Sequence, residues 1–305
     1  MDISALVNRL ILLFFTMAVG FLAAKGGILD VNANKAISKL VVNVTNPIQI
    51  LASVLTAEHL LNNWQVLELM GLSLACFALT IAAGLALPRM LRTPKQDARV
   101  YQFMLSFSNI GFLGYPLVTA LLGEGAAFYV TPFVLMFQLV CWSYGVFLLS
   151  GETRFHLSFD LLRRPCVISA LLACAIYLSG LRLPALFGEA MDYTGTITSQ
   201  LAMLVIGCSL AQLHAKTIFG NWRIYVLSLC KLVLLPLLIW VLLRGVLSEL
   251  MLSVLILVQA MPVATNTTLI CYEYGANDEV GSSGVFLSTL LSAVTLPLLM
   301  ALLFR

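Results

Sequence analysis

Charge is what this 305-residue chain has least of: only 10% of its residues are Asp, Glu, Lys or Arg, against 61% hydrophobic. Soluble domains carry about 25% charged and about 45–50% apolar residues. Too little polar material is present to cover a water-facing surface, and the mean hydropathy of +1.00 agrees. Other absences narrow the function. No run of Lys and Arg interleaved with aromatics marks a nucleic-acid surface. The seven cysteines, Cys76, Cys141, Cys166, Cys174, Cys208, Cys230 and Cys271, all fall inside apolar runs with no C-x-x-C pair. They read as small buried hydrophobes. Three scattered histidines, His59, His156 and His214, make no metal constellation, so neither metal nor cofactor is expected. Gly-x-Ser-x-Gly elbows, phosphate loops and paired buried carboxylates are missing too, which argues against an enzyme.

What is present is a series of long apolar runs. A hydrocarbon core of about 30 Å needs about 20 apolar residues per helix. On that measure the sequence predicts ten spans, near 5–24, 35–56, 66–90, 98–122, 126–150, 164–181, 191–212, 222–245, 250–273 and 280–304. The first begins with Asp2 rather than positive charge and is long enough to cross, so it reads as a helix and not as a cleaved leader. The basic residues fix an orientation. Twelve of them (Lys25, Lys35, Lys39, Arg89, Arg92, Lys95, Arg99, Arg154, Arg163, Arg164, Lys216, Arg223) fall in loops after odd-numbered spans. Two, Arg182 and Arg244, fall after even-numbered ones. Odd loops are therefore expected in the cytoplasm and both termini on the outer side of the cell (inner) membrane.

The polar stretch 151–163 divides the spans into five and five, residues 1–150 and 164–305. Five is odd, so the second half enters the membrane in the opposite sense, the condition for an inverted repeat. The fourth span of each half is interrupted. The first carries Asn109, Gly111, Gly114 and Pro116, and the second Pro262, Thr265 and Asn266. Unwound backbone at membrane depth survives only where it is buried or lines a cavity. Two half-helices would then point their positive N-termini at one midplane anion site. Gly and Pro also kink ordinary membrane helices, but two interruptions at matching places favour a site.

Elsewhere, Asn46 and Gln49 stand within span two and Gln138 within span five. Amides are costly to bury unpaired, so these, with Asn109 and Asn266, are expected in a cavity. Most Ser and Thr residues read instead as interhelical hydrogen bonds. Lys231, about eight residues into span eight, reads equally as a substrate contact or counter-ion and as a side chain reaching back to the interface. Glu273 lies near the membrane edge, where solvation is its default.

The stretch from Ser108 to Leu117 resembles the fourth-helix signature of the auxin efflux carrier family, and so do Tyr272–Gly275 and Ser288–Pro297. The resemblance extends to span count along the whole chain. The short loop between halves is similar to prokaryotic members rather than to the plant PIN-FORMED carriers, whose loop is long. It implies an all-α integral membrane fold of two inverted five-helix repeats, like bile-acid symporters and sodium/proton antiporters, with broken helices 4 and 9 crossing. It also implies a scaffold of helices 1, 2, 6 and 7, often forming a homodimer. In the plant carriers an Asn seven residues before the helix-4 proline and a helix-5 Gln contact the substrate carboxylate; Asn109 and Gln138 match them. The plant helix-2 serine has no clear match, with Gln49 and Ser53 nearby. The expected partner besides the bilayer is a small organic anion, auxin-like or a dicarboxylate such as malate or malonate, moved by a secondary carrier. An anion channel and a non-transporting receptor or assembly subunit are the alternatives. Amides at mid-depth between apolar ends favour a gated site over a pore, and few acidic residues in the spans lean towards weak or no ion coupling.

Overall fold

The computed structural model describes residues 3–55, 63–123, 126–151, 163–181 and 184–303. The expected linker 151–163 lies, apart from its two ends, outside those residues, as do Arg154 and Arg182. Among the described residues every regular element is helical, and the one strand-like pairing is an isolated antiparallel bridge between Ser108 and Val263. Hydrocarbon imposes this outcome, because a helix satisfies its own backbone polar groups. Five helical runs are long and apolar enough to cross a membrane: Trp64–Met90, Tyr129–Leu149, Ala185–Gln212, Trp222–Leu243 and Asp278–Leu303. Shorter apolar helices stand beside them at Ile11–Lys25, Pro165–Ser179 and Glu249–Gln259. The chain is a multi-pass membrane protein.

In chain order the helices are α1 (Ile3–Lys25), α2 (Val31–Leu40), α3 (Asn46–Leu55), α4 (Asn63–Met90), α5 (Ala98–Ser106) and α6 (Tyr115–Leu122). Then come α7 (Ala127–Val140), α8 (Val146–Leu149), α9 (Pro165–Ser179), α10 (Ala185–Gly195), α11 (Ile197–Gln212) and α12 (Ala215–Gly220). The last are α13 (Trp222–Leu229), α14 (Leu235–Leu243), α15 (Glu249–Gln259), α16 (Asn266–Tyr274) and α17 (Asp278–Leu303). Helix α2 begins four residues before the expected span, where the Asp30 side chain accepts the N–H of Ala33.

Four π-helical turns interrupt the winding: Val41–Thr45 between α2 and α3, Ile110–Gly114 before α6, Cys141–Gly145 between α7 and α8, and Cys230–Leu234 between α13 and α14. Three of the four end two residues before a proline, namely Pro47, Pro116 and Pro236. Proline donates no hydrogen bond and its ring crowds the carbonyl four residues back. Widening the turn by one residue relieves that crowding, and the bonds shift accordingly. The Asn46 N–H donates to the Val41 carbonyl and the Leu235 N–H to that of Cys230, each five residues back.

Two expected spans are broken outright. Helix α5 ends at Ser106 and winding resumes at Ile110; α15 ends at Gln259 and α16 starts at Asn266. The two unwound segments lie against each other. Asn109 N–H donates to the Pro262 carbonyl at 2.8 Å, and Ala264 N–H to that of Phe107 at 3.1 Å. Each break thus supplies partners that the other needs, as backbone removed from water requires.

Around this junction the helices approach closely through glycine. Gly20 of α1 lies on the Leu204 backbone of α11, and Gly207 of α11 on the Met17 backbone of α1; a methyl group at either would overlap the facing chain. Gly195 of α10 sits against Gln49 of α3, and Gly188 packs on Leu55. Small residues at such seams let backbones approach where lipid gives no hydrophobic drive.

Candidate functional site

Beside the paired breaks is a cavity of about 190 Å3. Its walls come from α3 (Asn46, Gln49, Ser53), the first break and π turn (Asn109, Ile110, Gly111), α7 (Thr131, Val134, Phe137, Gln138), α10 (Asp192) and the second break with the start of α16 (Ala264, Thr265, Asn266). All six polar residues expected of the site, Asn46, Gln49, Asn109, Gln138, Thr265 and Asn266, meet here although they are spread over 220 positions of chain. Gly111 lines it as well, with open space where a side chain would be.

The amides are held in different ways. Asn109 is buried, and its backbone is fixed twice: its N–H on Pro262, and its carbonyl accepting the Gly114 N–H at 3.0 Å across the π turn. Its side-chain Nδ2 has no protein partner. Neither has Thr265 Oγ1, at the N-cap of α16, nor Asn266 Oδ1 in its first turn. A buried polar group without a partner costs about 1–3 kcal/mol, so three in one cavity mark a place for a polar ligand. Gln138 accepts the indole N–H of Trp142 at 2.9 Å on Oε1. Indole only donates, which fixes the amide's orientation and leaves its NH2 end to donate. Asn46 Nδ2 rests against the Cys166 sulfur at 3.7 Å, and that thiol donates to the Val42 carbonyl at 3.0 Å.

Two helical segments begin at the cavity wall, the π turn running into α6 and then α16. Their N-terminal ends carry partial positive charge and free N–H groups. With amide donors beside them, the arrangement is suited to an anion, with no Lys or Arg among the described lining residues.

Other singled-out residues frame the site rather than line it. Gly114 packs against Met261, where a methyl group would come within 3.2 Å of its side chain. Pro262 stands in the second break and contributes its carbonyl to Asn109. Pro116 is the second residue of α6, beyond the π turn. Lys231 lies outside the cavity lining and is buried; its Nζ donates to the Leu105 carbonyl at 2.9 Å, in the last turn of α5. A donor there satisfies a carbonyl that the helix, interrupted in mid-course, leaves open. Glu273, half-buried, accepts from Asn43 Nδ2 at 3.2 Å.

Asp192 and Thr131 went unread in the sequence. Thr131, Val134 and Gln138 recur on one helical face, a spacing that extends the cavity wall back from Gln138. Asp192 stands between Gly188 and Gly195 on the face that meets α3. By contrast, a second cavity of about 550 Å3 between α1, α11, α12 and α17 is lined, among the described residues, by apolar side chains, Phe14, Phe21, Phe219 and Phe286 among them, which suit no anion.

The profile of a family described as membrane transport protein matches residues 5–158 and 152–300. A protein of Rhizobium meliloti (strain 1021) named "putative malonate transporter" is 26% identical over 247 residues, 75% of this chain and 74% of that one. An "uncharacterized transporter" of Methanocaldococcus jannaschii is 24% identical over 312 residues, 98% of this chain and 97% of its own.

Proposed function

The chain belongs to the membrane transport protein family, that of the auxin efflux carriers, and on that premise we propose that it is a secondary carrier of small organic anions working by alternating access. One observation carries the reading: the buried and unpartnered side-chain Nδ2 of Asn109, in a cavity where two interrupted helices restart. In this reading the fold is ten spans in two inverted halves, 1–150 and 164–305, joined by a cytoplasmic linker, with both termini outside the inner membrane. The substrate carboxylate takes N–H bonds from Asn109 and Gln138. Asn46, Gln49, Thr265 and Asn266 hold the rest of the molecule. The glycine-sealed seams of α1 with α11 and of α3 with α10 support a rigid scaffold there, against which the broken helices move; the homodimer would form on that scaffold. A dicarboxylate of the size of malonate suits the cavity, and a relative's name carries that substrate.

Uptake of labelled malonate into vesicles reconstituted with the purified protein tests this. A carrier gives saturable flux that unlabelled malonate on the opposite side accelerates. Flux that grows linearly with concentration would replace the carrier by a channel, and no flux of any mono- or dicarboxylate would end the transport reading.

A further inference from the structure

The cavity holds an electrostatic conflict for an anion: among the described residues its single ionisable lining residue is a carboxylate, Asp192, and no Lys, Arg or His shares the lining. The position is built in. Gly188, Asp192 and Gly195 are four and three residues apart and share one face of α10. Gly195 lies against Gln49 and Gly188 against Leu55, so Asp192 sits over the intervening stretch of α3, where Ser53 also lines the cavity. A larger residue at Gly195 would lift that face off α3, since a methyl group would already come within 2.8 Å of the Gln49 backbone.

Among the described residues, the groups around Asp192 do not offset its charge. Helix α3 has no titratable side chain, and on α11 the one such group is Cys208, near its far end. The α7 wall brings Tyr129, two residues before Thr131, and on Asp192's own helix the exposed Glu189 adds a second negative charge. Asp192 itself is exposed where it lines the cavity. A substrate carboxylate arriving at Asn109 and Gln138 meets a fixed like charge in the same cavity, a repulsion that neutralising either group removes.

We infer that Asp192 makes this a proton-coupled carrier: the carboxylate takes up one proton with each substrate anion and gives it back on the other side of the membrane. This rests on the carrier reading and adds the coupling ion to it. The balance is simple. One proton from the side to which the cavity opens adds to an Asp192 oxygen, the anion binds, the loaded cavity reorients, and anion and proton leave together. No bond other than O–H is made or broken. Linkage requires reciprocity, so proton and anion strengthen each other's binding by the same factor.

The test is calorimetric titration of malonate into the purified protein in buffers of different ionisation heat, across a range of pH, for wild type, Asp192→Asn and Asp192→Glu. Malonate's own ionisation is common to all three and cancels. Wild type is expected to take up close to one proton beyond malonate's own, with affinity falling by about tenfold per pH unit on the alkaline side, the slope of one linked proton. Asp192→Asn is expected to flatten that slope and bind more tightly than wild type at high pH; Asp192→Glu should restore the slope. Binding by wild type with no extra proton taken up overturns the coupling without any variant, and so do equal slopes in wild type and Asp192→Asn. Both results leave the carrier standing, whereas absence of malonate binding and uptake in wild type removes carrier and coupling together.

Discussion

The two broken helices solve the same problem with different means. At the first break, the carbonyls left open by α5 meet three donors from outside the helix: Thr80 Oγ1 on Ser106 at 3.2 Å, Lys231 on Leu105 and the Ala264 N–H on Phe107. At the second, the carbonyls of Gln259 and Pro262 are met by Ser108 Oγ at 3.4 Å and by the Asn109 N–H, both from the first break. A side chain of α17 completes it, Ser288 Oγ accepting the Val263 N–H at 3.1 Å. The first break therefore leans on a buried lysine between α13 and α14, while the second leans on its counterpart. Neither could be transplanted alone, and the seam between them is as much a structural joint as a binding wall.

Asn109→Ala should have the largest effect on function. It removes a donor aimed at a charged group, worth about 1–3 kcal/mol, or about 5–150-fold in substrate affinity. Membrane yield should hold, because the backbone bonds to Pro262 and Gly114 remain. Malonate affinity equal to wild type would take Asn109 out of the site.

Replacing the prolines separates the two breaks. Alanine at Pro262 gives the second break a new N–H and lets α15 wind further; alanine at Pro116 does so beyond the first. Each is expected to slow transport by about tenfold, ~1.4 kcal/mol on the rate-limiting step, with affinity nearly preserved. As the halves are opposed, one variant should hinder opening to the outside and the other opening to the inside. Lost thermal stability with a normal rate per folded molecule would make both prolines mere kinks.

Lys231→Met keeps the length of the stem and leaves the Leu105 carbonyl without its donor. The net loss of stability should be about 1 kcal/mol, since a polar amine no longer has to be buried. A variant as stable as wild type that transports normally would show that the first break does not depend on Lys231. The smallest effect is expected from Ser288→Ala, about 0.5–1 kcal/mol for one neutral hydrogen bond, read as a lowered Tm with affinity intact.

Much of this was legible in the order of residues. Buried amides and paired Gly/Pro interruptions are rare enough in apolar helices that their positions alone pointed to one place, and Asn46, Gln49, Asn109, Gln138, Thr265 and Asn266 do meet. What stayed hidden depends on which chain lies opposite. Lys231 looks the same in sequence whether it meets a substrate, an interface or the Leu105 carbonyl. Asp192 is within two residues of the predicted start of a span, where a carboxylate ordinarily faces solvent. Only the approach of Gly188 and Gly195 to α3 turns it towards the cavity. The break after Ser106 lies ten residues before Pro116, because that proline is accommodated by the π turn and the unwinding belongs to the contact with Pro262.

The π turns also set an angular phase. Each holds one residue more than a regular turn, and one residue is about 100° of rotation about a helix axis. Everything downstream of Val41–Thr45 is turned by that amount relative to α2, including Asn46, Gln49 and Ser53. Deleting a single residue such as Val44 would shorten the chain by one part in about three hundred, yet aim those three side chains away from the cavity. Length in these helices is thus read as direction, and a lost residue in a π turn would disarm the site without touching any group in it.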